Sequence, residues 1–237
     1  MAEGRSIDTR ERILDAAEAL FMAHGYDGTS MRQITSEAQV NLAAVNYHFG
    51  SKEALMQQVF RRRLGNLNEV RLKVLDDLEA AAGGKPLKPS QIVDAFFGTL
   101  LRLAEQDHHG GRIFLRLLGR TFTEPSDFIR NFMAAEYAGI VERYKQALFR
   151  ALPDVPKAEI VWRFHFMLGA TSYAIAGTDA LRLVTDWHVE EEDEIDRLDR
   201  LLPRLMSFLL GGLRSPLPSF DASAEGDASD SDTAQAA

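Results

Sequence analysis

The order of apolar and polar positions indicates helices along most of the chain, and no stretch has the alternation typical of a β-strand. Apolar residues recur three or four positions apart over residues 9–24, and Gly25 follows as a stop signal. A long helix starts after Ser51 and ends before residues 83–84, both glycine. Turn signals then separate five further helices, predicted over residues 90–106, 112–122, 127–151, 157–183 and 195–213. We therefore expect an all-α protein.

Two short helices follow the first one and are joined by a tight turn. Ser30 stands three residues before Gln33, the spacing of a capping box, in which each side chain bonds a backbone N–H of the other residue. Asn41 can cap the next helix, residues 42–48, because its side chain can accept a hydrogen bond from an unpaired backbone N–H. With the turn at residues 39–40, this pair predicts a helix-turn-helix.

These elements divide the chain into four segments. The helix-turn-helix belongs to a three-helix N-terminal head, and the long helix after Ser51 leads from it into a larger C-terminal helical domain. The C-terminal end is rich in Ser, Ala, Gly and Asp, a composition typical of disorder. We expect a disordered N-terminal arm, the head, the larger domain and a disordered acidic tail over residues 1–8, 9–55, 56–214 and 215–237.

The composition excludes several kinds of protein. The 237 residues contain no cysteine, which rules out disulfides, thiolate metal sites and a cysteine nucleophile. No apolar run approaches the roughly 18 residues of a membrane span, and residues 1–8 lack the apolar core of a signal peptide. We expect a cytoplasmic protein without a membrane segment.

The formal net charge of -8 argues against non-specific coating of nucleic acid, but this charge is unevenly distributed. Acidic residues concentrate in residues 190–196 and in the tail, whereas Arg61, Arg62 and Arg63 form a basic run. This run is either a solvated helix face or a set of phosphate contacts. Binding to DNA therefore has to be judged from local motifs.

The third helix, residues 42–48, has the features of a helix that enters the major groove of DNA. Val45 would face the core. The side chains left on the groove side are Leu42, Ala43, Ala44 and Asn46. Small alanines permit close approach and contact with thymine methyl groups, and an asparagine can pair with adenine.

Polar side chains flank these positions. Tyr47 and His48 can donate hydrogen bonds to phosphate oxygens, and Ser51 with Lys52 places a hydroxyl, a cation and a helix N-terminus together. We expect these groups to hold the DNA backbone.

The run from Arg12 to Phe60 resembles the DNA-binding domain of the TetR family. Two positions depart from the common pattern: Gln39 stands where a glycine usually makes the turn, and Asn46 replaces a frequent aromatic residue. The matching residues are Thr29-Ser30-Met31-Arg32-Gln33-Ile34 and Val40-Asn41-Leu42-Ala43-Ala44-Val45-Asn46-Tyr47-His48-Phe49-Gly50-Ser51-Lys52-Glu53-Ala54-Leu55.

This resemblance implies a sequence-specific transcriptional regulator that binds double-stranded operator DNA as a homodimer and is released by a small apolar effector, as a repressor would be. The DNA-binding residues that it implies are Thr29, Ser30, Arg32, Leu42, Ala43, Ala44, Asn46, Tyr47, His48 and Lys52.

The larger domain holds many large apolar side chains, which either form an ordinary helical core or line a pocket for the effector between the helices. Two arginines among them each need an anion, either an internal carboxylate such as Glu136 or the acidic group of an effector. The candidate ligand-binding residues are Phe97, Phe114, Arg116, Leu117, Phe132, Trp162, Arg163, Phe166 and Met167.

Two segments of this domain resemble one subgroup of the TetR family more specifically. Residues 112–119 (Arg-Ile-Phe-Leu-Arg-Leu-Leu-Gly) and 162–170 (Trp-Arg-Phe-His-Phe-Met-Leu-Gly-Ala) look like the PsrA-type subgroup of TetR regulators. Proteins of that subgroup respond to fatty acids and mostly repress genes of fatty-acid degradation. The resemblance implies an effector with a long acyl chain, either a fatty acid or an acyl coenzyme A.

The last helix carries a broad leucine stripe, which indicates either packing within the chain or a two-fold interface between two copies. The expected dimer contacts are Leu198, Leu202, Leu205 and Leu209. The regulator needs no cofactor, metal or catalytic residue. The alternative is a helical acyl-binding enzyme or carrier without DNA binding, although the sequence has no nucleophile elbow and no phosphate-binding glycine loop.

Overall fold

The computed structural model describes residues 2–107, 110–123, 127–176 and 198–219, and every regular element within them is helical. The predicted all-α fold, with an N-terminal helix-turn-helix head and a C-terminal helical domain, is confirmed. The helices are α1 (Ala2–His24), α2 (Met31–Glu37), α3 (Leu42–Phe49), α4 (Lys52–Ala82), α5 (Pro89–Val93), α6 (Thr99–Gln106), α7 (Gly111–Thr123), α8 (Asp127–Ala151), α9 (Lys157–Ile175) and α10 (Leu198–Leu213).

Three boundaries differ from those predicted. Helix α1 begins at Ala2 and not at residue 9, because no proline interrupts this stretch. The disordered arm over residues 1–8 stays a prediction. A five-residue π-helical turn, Asp94–Gly98, separates α5 from α6. The predicted ends of two helices, residues 177–183 and 195–197, and the tail from residue 220 lie outside the described residues.

The head has its own apolar core, to which α1, α2, α3 and the start of α4 all contribute. Ile13 and Phe21 of α1, Ile34 of α2, Val45 of α3 and Leu55 of α4 are completely buried. Fully burying a side chain of this size stabilises a fold by about 1.5–3 kcal/mol. The inward orientation of Val45, predicted from the sequence, is confirmed, and it fixes which side of α3 faces outward.

Helix α4 belongs to both the head and the larger domain. Its first turns pack on α1 and α3, and its later turns pack on α6 and α8. The buried stripe of its second half contains Leu64, Leu67, Arg71 and Leu75, and Gly83 ends it in a left-handed conformation. A change in the larger domain can therefore reach the head through one continuous helix.

Helix α7 packs closely along α9, and α10 covers α9 and α6 from the other side. Leu198, Leu205 and Leu209 are buried by this packing, and Leu202 is half-buried. These three leucines already belong to the core of a single copy, and their role as contacts between two copies stays a prediction. None of the described helices is long and apolar enough to cross a membrane.

Candidate nucleic-acid interface

Side-chain caps fix both helices of the helix-turn-helix. The Ser30 hydroxyl accepts from the backbone N–H of Gln33 at 3.3 Å, and the Gln33 side chain accepts from the backbone N–H of Ser30 at 2.8 Å. The Asn41 side chain accepts from the backbone N–H of Ala44 at 2.8 Å. The capping box and the asparagine cap predicted from the sequence are both confirmed. Each such cap contributes about 1 kcal/mol to the helix that it starts.

The turn between α2 and α3 needs a left-handed residue. Gln39 adopts φ 53°, and among the described non-glycine residues it alone has a positive φ. The next backbone N–H, that of Val40, donates to the carbonyl of Thr35 at 3.0 Å and brings the chain back toward α2. Glutamine thus takes the conformation of a glycine here, at an energetic cost.

We expect Gln39→Gly to raise the free energy of unfolding by about 0.5–1 kcal/mol. A left-handed conformation costs a non-glycine residue about 1–2 kcal/mol, and the greater freedom of glycine in the unfolded chain cancels part of that gain. Urea titration followed by circular dichroism measures the change. The control Gln39→Ala should bring no gain, because alanine has the same steric cost as glutamine. A destabilised glycine variant would contradict this view of the turn.

The outward side of α3 combines apolar and amide groups. Leu42, Ala43 and Asn46 are exposed, and Tyr47 is 84% exposed although it is a large aromatic residue. Ala44, which the sequence placed on this surface, is half-buried against the head core, since it lies one residue before the buried Val45. The outward surface is therefore narrower than predicted and includes Tyr47.

Thr29 was predicted as a DNA contact, but its side chain is not available to DNA in the structure. Its side chain is 1% exposed, and its hydroxyl donates toward two carbonyls of the α1 end, Leu20 at 3.1 Å and Gly25 at 2.8 Å. These carbonyls would otherwise be unpaired at the end of a helix. Thr29 therefore fixes the connection between α1 and α2 and has no side-chain atom available to a phosphate.

Lys52 is also engaged within the head. Its ammonium group donates to the carbonyls of Tyr26 at 2.9 Å and Thr29 at 3.0 Å, and it lies 3.9 Å from the centre of the Tyr26 ring. The Tyr26 hydroxyl donates to Glu53 at 2.8 Å. Burial, followed by the bond to Glu53, raises the pKa of Tyr26. Lys52 thus holds the α1–α2 connection onto α4. Its contact with a DNA phosphate stays a prediction.

We expect Lys52→Ala to lower the free energy of unfolding by about 2–3 kcal/mol, because two charge-assisted hydrogen bonds and a cation–π contact are lost. The exposed Lys73, which pairs with Asp77 on the same helix, offers a matched control, and Lys73→Ala should leave the stability almost unchanged, because water screens that ion pair. Thermal unfolding in the absence of DNA measures both variants. An unchanged stability for Lys52→Ala would contradict the structural role of these bonds.

The remaining predicted contacts lie around the outward surface. Ser30 and Arg32 are exposed at the start of α2, and His48 is half-buried at the end of α3, where its ring lies 5.1 Å from that of Tyr47. Ser51 caps α4 by accepting from the backbone N–H of Ala54 at 3.1 Å. These side chains therefore lie at the starts of α2 and α4 and at the end of α3.

The basic run of α4 is partly exposed, and each of its three arginines is paired with a carboxylate of another part of the chain. The Arg61 guanidinium donates to Glu136 of α8 at 2.8 Å. Arg62 donates to Asp15 of α1 at 2.7 Å and to Glu18, and Arg63 bonds Glu18 and Asp107. All three thus connect α4 to neighbouring helices, and they join the head to the larger domain.

The predicted ligand-binding residues fall into two groups. Phe97, Phe114, Leu117, Phe132 and Met167 are buried in the core of the larger domain. Trp162 and Phe166 are 58% and 63% exposed on the outer face of α9, so they cannot line an internal pocket of one copy. Phe114 alone of this set borders the open cleft of about 470 Å³ between α1, α4, α6 and α7, together with Leu67, Leu100 and a charged rim.

The two arginines chosen for an acidic group of the effector are placed elsewhere. Arg116 is exposed on α7, and Glu136, its suggested internal partner, is bound by Arg61. Arg163 is buried, but it donates to Glu159 at 2.9 Å and to the carbonyl of Leu213 at 2.6 Å, at the end of α10. Arg163 is thus paired with a carboxylate of its own chain, which is the internal alternative. The effector contact of Arg116 stays a prediction.

Sequence reasoning missed a third arginine, Arg71. It lies in the buried stripe of α4 and is 2% exposed. The signal was present in the sequence, since Arg71 stands four residues after Leu67 and four before Leu75, on the apolar side of the helix. Its surroundings are described below.

Two family profiles match the chain. Residues 13–59 match the profile described as bacterial regulatory proteins of the tetR family, and residues 94–212 match the tetracyclin repressor-like C-terminal domain. The second match alone covers half of the chain. The chain belongs to the TetR family.

The individual relatives are named as HTH-type transcriptional regulators and are moderately similar to this chain. YttP from Bacillus subtilis, named as a probable HTH-type transcriptional regulator, is 28% identical over 130 residues, which are 54% of this chain and 57% of that protein. LmrA from the same organism is 35% identical over 95 residues, 39% of this chain and 46% of that protein. The chain thus spans about half the length of these curated relatives. They are regulators and not enzymes, which sets the enzyme alternative aside.

Solved structures of transcriptional regulators have the same fold. FadR from Bacillus subtilis in complex with stearoyl-CoA superposes with a TM-score of 0.60 at 14% identity and covers 85% of this chain and 98% of its own. FadR from Bacillus halodurans gives 0.59 at 15% identity, with 88% and 97% covered. PfmR from Thermus thermophilus gives 0.56 at 20% identity, with 86% and 100% covered.

Proposed function

We propose that this TetR-family protein is a dimeric repressor that reads operator DNA with α3 and leaves it when an apolar effector binds to the larger domain. The observation that carries the DNA-binding part is the outward side of α3. There Leu42, Ala43, Asn46 and Tyr47 are exposed on a helix that caps and core packing hold rigidly. Asn46 would bond an adenine and Leu42 and Ala43 would contact thymine methyl groups.

Backbone contacts would come from groups around that helix. Ser30 and Arg32 at the start of α2, with Tyr47 and His48 at the end of α3, would donate to phosphates on either side of the groove. Thr29 and Lys52 would act indirectly, because they hold the α1–α2 connection in place. The overall negative charge does not oppose this function, since residues 190–196 and the tail carry much of it.

The outer face of α9 and α10 is where a second copy would bind. Trp162, Phe166 and Tyr173 of α9 and Phe208 of α10 are exposed large apolar residues, and the rings of Trp162 and Phe166 lie 5.7 Å apart. Isolated exposed apolar residues are common, but contiguous aromatic patches mark interfaces. Two copies joined here would form a four-helix contact and present two α3 helices to half-sites about one DNA turn apart, about 34 Å.

An acyl effector is supported by the sequence resemblance to the PsrA-type subgroup and by the fold of FadR, which was solved with stearoyl-CoA. To release DNA a hundredfold to several-thousandfold, the effector must favour the non-operator conformation by about 3–5 kcal/mol. Each buried methylene supplies about 0.8 kcal/mol, so a handful of methylenes with different contacts in the two conformations is enough.

The arginine run of α4 is the connection by which the effector would reach the head. Arg63 bonds Glu18 of α1 and Asp107 at the end of α6, and Arg61 bonds Glu136 of α8. A shift of α6 or α8 around an effector would displace α4, and with it the spacing of the two α3 helices. The two half-sites could then no longer be occupied together.

The test of the effector is a titration of C8, C12, C16 and C18 fatty acids and their coenzyme A thioesters into a preformed complex with operator DNA. We expect release to strengthen with chain length, because each added methylene adds to the buried apolar surface. Fluorescence anisotropy of labelled DNA follows the release. If none of the eight compounds releases the DNA, or if release does not depend on chain length, the acyl effector is refuted. The DNA-binding proposal is unaffected by that result.

A further inference from the structure

A buried cation lies in the core of the larger domain at Arg71. Among the charged side chains that are buried in the described residues, Glu18 is paired with Arg62 and Arg63, and Arg163 is paired with Glu159. Arg71 differs from both, since no carboxylate of the described residues contacts it. Proteins almost always pair a buried charge, because an uncompensated one loses its hydration without a replacement.

Within the part of the chain that the structure describes, the groups that contact Arg71 are neutral. Its Nε donates to the carbonyl of Phe96 at 2.9 Å, one Nη donates to the amide oxygen of Asn68 at 3.3 Å, and the guanidinium lies 3.9 Å from the centre of the Phe96 ring. The Tyr137 hydroxyl is a further partner, while Tyr144 donates to the backbone carbonyl of Arg71 at 2.7 Å. These contacts give the guanidinium hydrogen-bond partners, but no carboxylate among the described residues offsets its positive charge.

Burial lowers the pKa of the Arg71 guanidinium from its usual value. The usual value is so high that arginine nevertheless stays charged at neutral pH. A negatively charged group that reached this position would therefore meet a cation in an apolar environment. Such an ion pair is much stronger there than it would be in water.

The surroundings of Arg71 suit the entry of an amphipathic molecule. Phe96 lies in the π-helical turn Asp94–Gly98, and such turns are frequent at functional sites, where the regular hydrogen-bond ladder is interrupted. The Phe96 ring lies 5.1 Å from Phe164 in an aromatic cluster that also includes Phe97. Leu67, one turn before Arg71 on the same side of α4, lines the floor of the open cleft.

We propose that Arg71 is the anion-binding residue of the effector site and that it pairs with the free carboxylate of an apolar acid. This inference rests on the proposed function, since it places the head of the effector on α4, beside the π-helical turn. The effector is then the free acid and not its coenzyme A thioester, because a thioester carbonyl is neutral and cannot form an ion pair with Arg71.

The test compares acids with their uncharged esters on the full chain. Isothermal titration calorimetry measures dodecanoate and 2-naphthoate against their methyl esters, and dodecanoyl coenzyme A as a fifth ligand. The expected result is at least tenfold tighter binding of each acid than of its ester. In Arg71→Met this ratio should fall to about one, whereas Arg71→Lys should keep part of it.

Arg102→Met is the matched control, because Arg102 contacts the same π-helical turn from its exposed side through Asp94. It should keep the full preference for acids. Equal binding of acid and ester by the unaltered chain would overturn the proposal without any variant, and so would the failure of every acid to bind. Tighter binding of dodecanoyl coenzyme A than of dodecanoate would overturn it too.

The design separates the two hypotheses. If 2-naphthoate binds with a preference that depends on Arg71 while dodecanoate does not bind, the acyl effector is wrong and the anion site stands. If dodecanoate binds but its preference over the ester survives in Arg71→Met, the acyl effector stands and the role of Arg71 is wrong. Circular dichroism of each variant establishes that the helical fold is kept.

Discussion

A chain carrying Trp162→Glu and Phe166→Glu is expected to stay folded but to be a monomer that binds operator DNA about a hundred- to ten-thousandfold more weakly than the unaltered chain. Both side chains are exposed in a single copy, so the glutamates remain hydrated there and cost little. In a dimer they would bring like charges together in an apolar contact. The affinity for operator DNA falls because a monomer can bind only one half-site, whereas a dimer binds both at once.

Light scattering gives the mass of each form, and anisotropy gives its affinity for DNA. Ala134 and Ala138 on α8 are also exposed and four residues apart, so Ala134→Glu with Ala138→Glu adds the same charge elsewhere and should change neither measurement. Leu205→Glu and Leu209→Glu, in contrast, should unfold the protein, because both leucines are buried within one copy. A double variant at Trp162 and Phe166 that remained a dimer would refute the proposed interface.

Gly119→Val is expected to destabilise the protein by about 3 kcal/mol or more and to abolish its cooperative unfolding transition. A Cβ at Gly119 would lie 2.5 Å from the backbone nitrogen of Ala176 and 2.7 Å from the carbonyl oxygen of Ser172. These are backbone atoms of the α9 end and cannot rotate away as a side chain could. Helices α7 and α9 would have to separate, and the core between them would open.

Gly139→Ala on α8 is the matched control for that substitution. No atom lies within 4 Å of the position that its Cβ would take, so the change should stabilise the helix by up to about 1 kcal/mol. Thermal unfolding followed by circular dichroism compares the two variants with the unaltered chain. A Gly119→Val protein that melts within a few degrees of the unaltered chain would show that α7 and α9 are not held this close.

Much of the fold could be predicted from the sequence because its signals are local. The capping box of Ser30, the asparagine cap at Asn41 and the stop at Gly83 each act within one helical turn, and all three are present in the structure. The start of α1 was missed because a helix needs no capping signal where nothing interrupts it. The π-helical turn Asp94–Gly98 was missed because no residue type in it is specific to that geometry.

The candidate site was harder to predict, since hydrophobic periodicity says which residues avoid water but not what covers them. Leu205 is covered by its own chain, whereas Trp162 is not covered within one copy, although both stand in apolar helical patterns. Similarity to a family likewise indicates which sequence positions correspond, but it does not show which atoms each side chain contacts in this chain. Thr29 and Lys52 occupy the positions of expected DNA contacts, yet their polar atoms bond carbonyls within the head. Distant partners of this kind become visible only in three dimensions.

The measurement that tests the central claim most directly is the affinity of the full chain for the intergenic DNA upstream of its own gene, compared with a shuffled duplex of equal length. The proposed function predicts a Kd of about 10⁻⁸ M or tighter at physiological salt, at least about a thousandfold below that for the shuffled duplex. Asn46→Ala should lose about ten- to a hundredfold on the upstream DNA and little on the shuffled one. Equal affinity for the two duplexes, unaffected by Asn46→Ala, would contradict the assignment of α3 as the DNA-reading helix.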